Sequence, residues 1–158
     1  MVAVTCGYHL IAALACVRQW LRRPLPLPAA SPGLSLLKPV RGLDPHFADA
    51  IRSHAAQAYP GPCEILFGVA DPYDPAVAVI DAVAREFPQC DIRVIHAPTQ
   101  APNAKVGVLI DLAREAKHPL LLVNDSDILV PADYLREVTA PLADPAVGLV
   151  TCLYRAQG

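Results

Sequence analysis

Apolar and polar positions alternate along the chain in blocks that predict strands and helices in turn. Short apolar runs predict strands at 34–38, 64–70, 92–96, 120–124 and 147–153. Between them, apolar residues recur at helical spacing and predict helices at 44–58, from 75 to about 87, at 105–117 and at 131–142. Asp44-Pro45 and Asp74-Pro75 each have the form of a helix N-cap followed by proline. This alternation predicts an α/β fold, with a mostly parallel sheet covered by helices.

The start of the chain has a different pattern. Residues 1–17 carry no charged side chain, and Arg18, Arg22 and Arg23 follow at once. A helix extended through Leu21 would be roughly 30 Å long, close to the thickness of a hydrocarbon core. The positive charges follow the apolar run, whereas in a cleavable signal peptide they precede it. We therefore expect one transmembrane anchor at 1–21, with the remaining chain cytoplasmic. A buried first helix and a signal peptide are the alternatives.

Composition narrows the class of protein further. Thirteen basic and 15 acidic side chains give a net charge of -2, so the basic excess of a nucleic-acid binder is missing. The 17 prolines are scattered at element boundaries, but four of them fall in the segment 22–33, which we interpret as a linker. Five cysteines without a Cys-x-x-Cys pair favour free thiols over a zinc site or a disulfide framework.

The strongest local signal is the pair of carboxylates at Asp125 and Asp127, directly after the apolar run 120–124. Close like charges repel, and a divalent cation relieves that repulsion. Oxygen ligands suit Mg²⁺ or Mn²⁺, which often bind one or two carboxylates together with substrate phosphates. The pair therefore predicts a metal and diphosphate site. The alternative is an acidic loop that caps the next turn.

Other polar residues follow strands that should end at the same edge of the sheet, where ligands of open α/β sheets bind. Asp71 could accept hydrogen bonds from a base or a ribose, and Lys105 opens a helix at a place suited to an anion. Solvated side chains are the alternative for both. Asp74 is interpreted as a helix cap, and the five histidines, which lack metal-ligand spacing, as core or surface residues. No glycine-rich dinucleotide or P-loop motif is present.

Several segments resemble a known family in order and spacing over residues 35–158. They are SLLKPVRGLDP, YPGPCEILFGVADPYDPA, NAK, NDSDI with PADYL, and VGLVTCLYR. They resemble the ceramide glucosyltransferase-like group of family 2 glycosyltransferases, and most closely its bacterial hopanoid biosynthesis branch. The resemblance implies a GT-A fold, which is Rossmann-like, preceded by a membrane helix.

The resemblance also implies roles for individual residues. The residues it assigns to the nucleotide-sugar donor are Lys38, Asp71, Asn103, Lys105 and Asp125. Asp125 and Asp127 would form a D-x-D-like pair that binds Mg²⁺ or Mn²⁺.

The activity implied is inverting transfer of a hexose or N-acetylhexosamine from a UDP-sugar to a lipid hydroxyl of ceramide or hopanoid type. The enzyme would be anchored in a bacterial inner membrane with its domain in the cytoplasm. The family's third aspartate, the base, and its Q-x-x-R-W motif do not occur here. We therefore expect 34–158 to be a donor-binding part, truncated at its C-terminus and inactive alone. A nucleotidyltransferase-like enzyme and a non-catalytic nucleotide-binding fragment are the alternatives.

Overall fold

Strands and helices alternate from position 34 to position 143, in the order that the sequence predicts. The structure is a computed structural model that describes residues 2–21, 31–99 and 101–152. Helix α1 (Val2–Trp20) comes first. The elements that follow are β1 (Leu34–Val40), α2 (Phe47–Ala55), β2 (Cys63–Val69), α3 (Ala76–Glu86), β3 (Asp91–His96), α4 (Ala104–Glu115), β4 (Leu120–Val123), α5 (Tyr134–Thr139) and a 3-10 turn at Ala140–Ala143.

The four strands form one parallel sheet in the order β3-β2-β1-β4, which confirms the predicted α/β class. At the centre, Leu36 of β1 lies beside Ile65 of β2 on one side and Leu122 of β4 on the other. The chain first moves outward from β1 to β3 and then returns to add β4 on the opposite side. Such a reversal of direction leaves a crevice at the carboxyl ends of the two strands that flank it, which here are β1 and β4.

Helices cover the sheet on both faces and create two apolar cores. On one face, α2, α3 and α5 bury residues such as Ile51, Ile80 and Leu135 against β1 and β2. On the other face, α4 packs Val108 and Leu112 against the sheet. Gly68 of β2 lies under α4, where a Cβ would collide with Val108. The absence of a side chain at this position therefore allows α4 to lie close to the sheet.

Two details of the predicted sheet are wrong. A continuous apolar run such as 120–124 predicts a strand that is buried on both faces. In the structure Leu121 and Val123 are about half exposed, and β4 pairs only with β1 in the described part of the chain. The strand predicted at 147–153 does not form over its described residues, 147–152. Leu149 is 80% exposed, so apolar content alone provides no packing that would hold this segment as a strand.

The helix starts were predicted less well than the strands. Asp44 does not cap α2 with its side chain, and the helix begins three residues later, at Phe47. Asp74 does have the predicted capping role, because its Oδ1 accepts a 2.9 Å hydrogen bond from the Ala76 amide. The helix predicted at 131–142 is divided into the short α5 and the 3-10 turn, where Pro141 has no amide hydrogen to donate.

Helix α1 forms where the membrane anchor was predicted, and its side chains Leu10, Ile11 and Leu14 are about two-thirds exposed. Among the described residues, however, no helix has the length and apolar character needed to span a membrane. Polar residues near its start and Arg18 near its end shorten the apolar stretch. The prediction of a spanning anchor is therefore not supported. Most of the predicted linker, 22–30, lies outside the described residues.

Candidate functional site

The carboxyl ends of the four strands carry the residues that the sequence singled out. Lys38 is near the end of β1, Asp71 follows β2, and Asp125 with Asp127 follows β4. Asn103 and Lys105 lie at the start of α4, after β3. The parallel topology brings all of them to one edge of the sheet.

Lys38 is the only lysine among the described residues whose side chain is fully buried. Its position on β1 turns it toward α2, and its Nζ donates a 3.0 Å hydrogen bond to the main-chain oxygen of Asp125. Burial lowers the pKa of Lys38 to about 7, although the carboxylates of Asp127 and Asp125 act in the opposite direction. The Lys38 amine is thus held at the β1–β4 crevice, beneath the acidic loop, in a place where burial disfavours its charged form.

Lys105 reaches Asp125 from the other face of the sheet. Its ammonium forms an ion pair with Asp125 Oδ1, and both side chains are about half exposed. Asn103 fixes the start of α4, because its Oδ1 accepts a 3.2 Å hydrogen bond from the Val106 amide. One lysine therefore holds the main chain of Asp125, and a second lysine contacts its carboxylate.

Asp127 lies two residues further on and is exposed. Among the described residues, no cluster of three or more histidine, cysteine or acidic side chains could hold a metal ion. Asp125 and Asp127 offer carboxylate oxygens at an open edge, which fits a cation such as Mg²⁺ or Mn²⁺ that takes its other ligands from phosphate and water. The donor set does not fit a closed zinc site.

Asp71 lies apart from this group. It follows β2, two strand spacings or roughly 10 Å from the end of β4. Its Oδ1 accepts a 2.9 Å hydrogen bond from the Tyr73 amide. The nearby Asp74 accepts a 2.8 Å bond from the amide of Gly42, whose φ of 73° suits glycine. The turns after β1 and β2 are thereby joined, while Asp71 keeps an exposed carboxylate.

Sequence reasoning missed two residues beneath the acidic loop. His54 and Asn124 are both almost fully buried, and His54 Nε2 lies 2.8 Å from Asn124 Nδ2. Burial, with the neighbouring Lys38 charge, lowers the pKa of His54 to about 3. The sequence pattern of α2 could have shown that His54 is buried, because Phe47, Ala50 and Ile51 define a core-facing stripe of the helix. His54 occupies the next position of that stripe, where an apolar residue would be ordinary.

The opposite end of the sheet contains a second buried charge among the described residues. Glu64 of β2 accepts hydrogen bonds of 2.6 Å from Ser35 Oγ, from the Lys117 amide and from Arg93 Nη2. Burial opposes ionisation, but these hydrogen bonds outweigh it and lower the pKa of Glu64. A cavity of about 660 Å³ opens beside this cluster, away from the predicted donor residues. We assign the Glu64 cluster to stability.

Comparison with known proteins agrees with the fold. A mannosyltransferase from Pyrobaculum calidifontis, in complex with GDP-Man and Mn²⁺, has a TM-score of 0.74 at 22% identity, over 98% of this chain and 46% of its own. The S. aureus protein TarS (residues 1–349) has a TM-score of 0.54 at 15% identity, over 71% of this chain and 32% of its own. These likenesses indicate a glycosyltransferase fold of GT-A type, as expected.

The family follows from the sequence. The profile of glycosyl transferase family 21 matches residues 1–158, and the chain belongs to that family. A ceramide glucosyltransferase of Komagataella phaffii is 32% identical over 69% of this chain and 22% of its own length. Ceramide glucosyltransferase 3 of Caenorhabditis elegans is 29% identical over 95% of this chain and 33% of its own length. The predicted resemblance to ceramide glucosyltransferases is confirmed, and the chain spans between a fifth and a third of the length of these relatives.

Proposed function

We propose that the chain forms the donor-binding part of a glycosyltransferase. The reaction would move a hexose or N-acetylhexosamine from a UDP-sugar to a lipid hydroxyl of ceramide or hopanoid type, with inversion. The observation that carries the proposal is the meeting of Lys38, Lys105 and Asp125 at the crevice between β1 and β4. Membership of family 21 and the names of its ceramide glucosyltransferase relatives support the same activity.

Each residue has a role that its position allows. Lys105 has an exposed ammonium at the start of a helix, where backbone amides also favour an anion, so it can turn from Asp125 to the diphosphate. Asp71 has an exposed carboxylate that can accept hydrogen bonds from the ribose or the base. Asn103 acts by fixing the first turn of α4. Lys38 holds the acidic loop from beneath.

Asp125 and Asp127 would hold Mg²⁺ or Mn²⁺, and the bound ion would neutralise charge on the leaving diphosphate. The protein's own contribution is the fixed placement of these two carboxylates. Lys38 bonds the main-chain oxygen of Asp125, so this bond occupies neither carboxylate. No described residue is assigned as the base that deprotonates the acceptor.

The lipid acceptor is consistent with the surface of α1. Leu10, Ile11, Leu14 and Val17 are all more than half exposed. We propose that this helix contacts a lipid surface. Co-sedimentation of the full chain with lipid vesicles tests it, because replacing Leu10 and Leu14 by serine should reduce the bound fraction.

Calorimetry of UDP binding, with and without Mn²⁺, tests the donor site. We expect binding that requires the metal and is lost in Asp125→Asn. Asp111→Asn is the matched control, since Asp111 is paired with Arg114 on the far part of α4 and should leave binding unchanged. Binding that is equal with and without metal, or that survives Asp125→Asn, would contradict the metal role. A folded chain that does not bind UDP at all would contradict the proposed function.

A further inference from the structure

The acidic loop between β4 and α5 is attached to one helix at both of its ends. At its start, the Asn124 side chain contacts His54 of α2. At its end, the Val130 amide donates a 3.3 Å hydrogen bond to Ser53 Oγ of α2, and Gln57, just after α2, donates a 2.7 Å bond from its Nε2 to the Pro131 oxygen. The two carboxylates lie between these attachments. Helix α2 therefore fixes the ends of the segment that presents them.

The contact between His54 and Asn124 has a defined polarity. His54 Nδ1 lies 2.9 Å from the carbonyl oxygen of Ala50, which can only accept a hydrogen bond. The proton of the neutral ring is therefore on Nδ1, and Nε2 is an acceptor. Asn124 Nδ2 donates to it, while Asn124 Oδ1 is buried without a partner. The bond that its Nδ2 donates to His54 therefore ties this buried amide to α2.

The register of the sheet explains why this bond bears on the site. Leu37 pairs with Val123, so the next residues, Lys38 and Asn124, are neighbours at the strand ends and share the face toward α2. Lys38 then bonds the main chain of Asp125, the residue after Asn124. His54 and Lys38 thus hold two consecutive residues of the loop from the same side.

We propose that His54 is a positioning residue, which acts through Asn124 to fix the loop that carries Asp125 and Asp127. His54 touches neither carboxylate, and its role is to accept the Asn124 amide from a rigid helix. This inference rests on the proposed function only for its consequence on donor binding. The backbone order of the loop can be measured whether or not the chain binds a donor.

Two substitutions separate positioning from packing. In His54→Gln, the longer side chain can place an acceptor where Nε2 is now. In His54→Asn, the shorter side chain can still bond the Ala50 oxygen but does not reach Asn124. Both variants put a neutral amide in the same buried place. The missing methylene group of His54→Asn affects packing, which thermal unfolding measures, whereas the lost bond to Asn124 affects the order of the loop.

The experiment measures backbone ¹⁵N order parameters of residues 125–127 in the full chain, together with thermal unfolding. We expect values near 0.85 in the wild type and in His54→Gln, and below about 0.6 in His54→Asn. Asn124→Ala removes the same bond from the loop side and should reproduce the loss, even if His54→Asn proves too unstable to study. Unchanged loop order in both His54→Asn and Asn124→Ala would overturn the proposal, as would equal loss in His54→Gln and His54→Asn.

Binding of UDP with Mn²⁺ is the second readout. His54→Asn should weaken it on the order of tenfold, and His54→Gln should keep it within about twofold. If the wild type does not bind UDP, the proposed function fails, but the order parameters still decide the role of His54. If the wild type binds UDP and His54→Asn binds equally well, the consequence for donor binding is refuted.

Discussion

The buried ammonium of Lys38 and the main-chain oxygen of Asp125 are joined by a 3.0 Å hydrogen bond across the β1–β4 crevice. Burial of a cation opposes folding, and it lowers the pKa of Lys38 to about 7. Lys38 thus lowers the stability of the fold at the edge of the sheet where a ligand would bind, and a role in function best explains why a lysine is found there.

Replacing Lys38 with methionine should therefore separate stability from binding. We expect the free energy of unfolding of Lys38→Met to stay within about 1 kcal/mol of the wild type or to increase, because an apolar chain of similar length suits the buried site. Affinity for UDP with Mn²⁺ should fall at least about tenfold. Lys117→Met is the control, since Lys117 is exposed at the opposite end of the sheet and its loss should not affect UDP binding. Strong destabilisation without loss of affinity would refute this view of Lys38.

The free energy of unfolding should depend on pH because the pKa of His54 differs between the folded and the unfolded chain. The unfolded chain binds a proton at this residue below about pH 6.5, whereas the folded chain stays neutral there until about pH 3. The unfolded state thus binds more protons in this window, and stability falls as the pH is lowered. The contribution is at most about 1.36 kcal/mol per pH unit. Denaturant titrations between pH 6.5 and 5 should show a flatter dependence in His54→Gln, and an identical slope in both proteins would contradict the assignment.

Removing the buried charge of Glu64 should lower the free energy of unfolding. Glu64→Gln keeps an acceptor for Ser35 but loses the ion pair with Arg93, which should lower the free energy of unfolding by about 2 kcal/mol. Glu86→Gln is a matched control, because Glu86 also pairs with an arginine, Arg52, but both side chains are over 40% exposed. We expect little change for the exposed pair. Chemical denaturation of the two variants provides the test, and equal losses would contradict it.

The close packing of α4 against Gly68 should not tolerate a larger side chain at this position. A methyl group at this position would collide with Val108 and press on Leu112, so Gly68→Ala should cost about 1–3 kcal/mol of stability. Because α4 carries Lys105, affinity for UDP with Mn²⁺ should fall as well. Gly148→Ala, whose added carbon meets no atom within 4 Å, should change stability by less than about 0.5 kcal/mol. Thermal unfolding compares the two, and a neutral Gly68→Ala would show that α4 can move away without cost.

The sequence predicted the elements that local patterns determine. Strands β1 to β4 were located within two residues at each end because β-branched and leucine-rich runs between turn residues are informative on their own. The exposure of Leu121 and Val123 was missed because it depends on which strand neighbours β4. That Lys105 and Asp125 lie at the same edge of the sheet followed from the parallel topology, but their ion pair was not predicted. The role of His54 was missed because its partner, Asn124, is 70 residues away in sequence.

The two apolar cores lie on opposite faces of the sheet and share no buried residue. Lys38, directed toward the α2 face, and Lys105, from α4 on the other face, nevertheless meet at Asp125. A substitution that shifts the α2 layer acts on Asp125 through its main-chain oxygen, and one that shifts α4 acts on it through its carboxylate. The position of Asp125 therefore depends on the packing of both layers. Core residues far from any ligand limit the positions that its carboxylate can adopt.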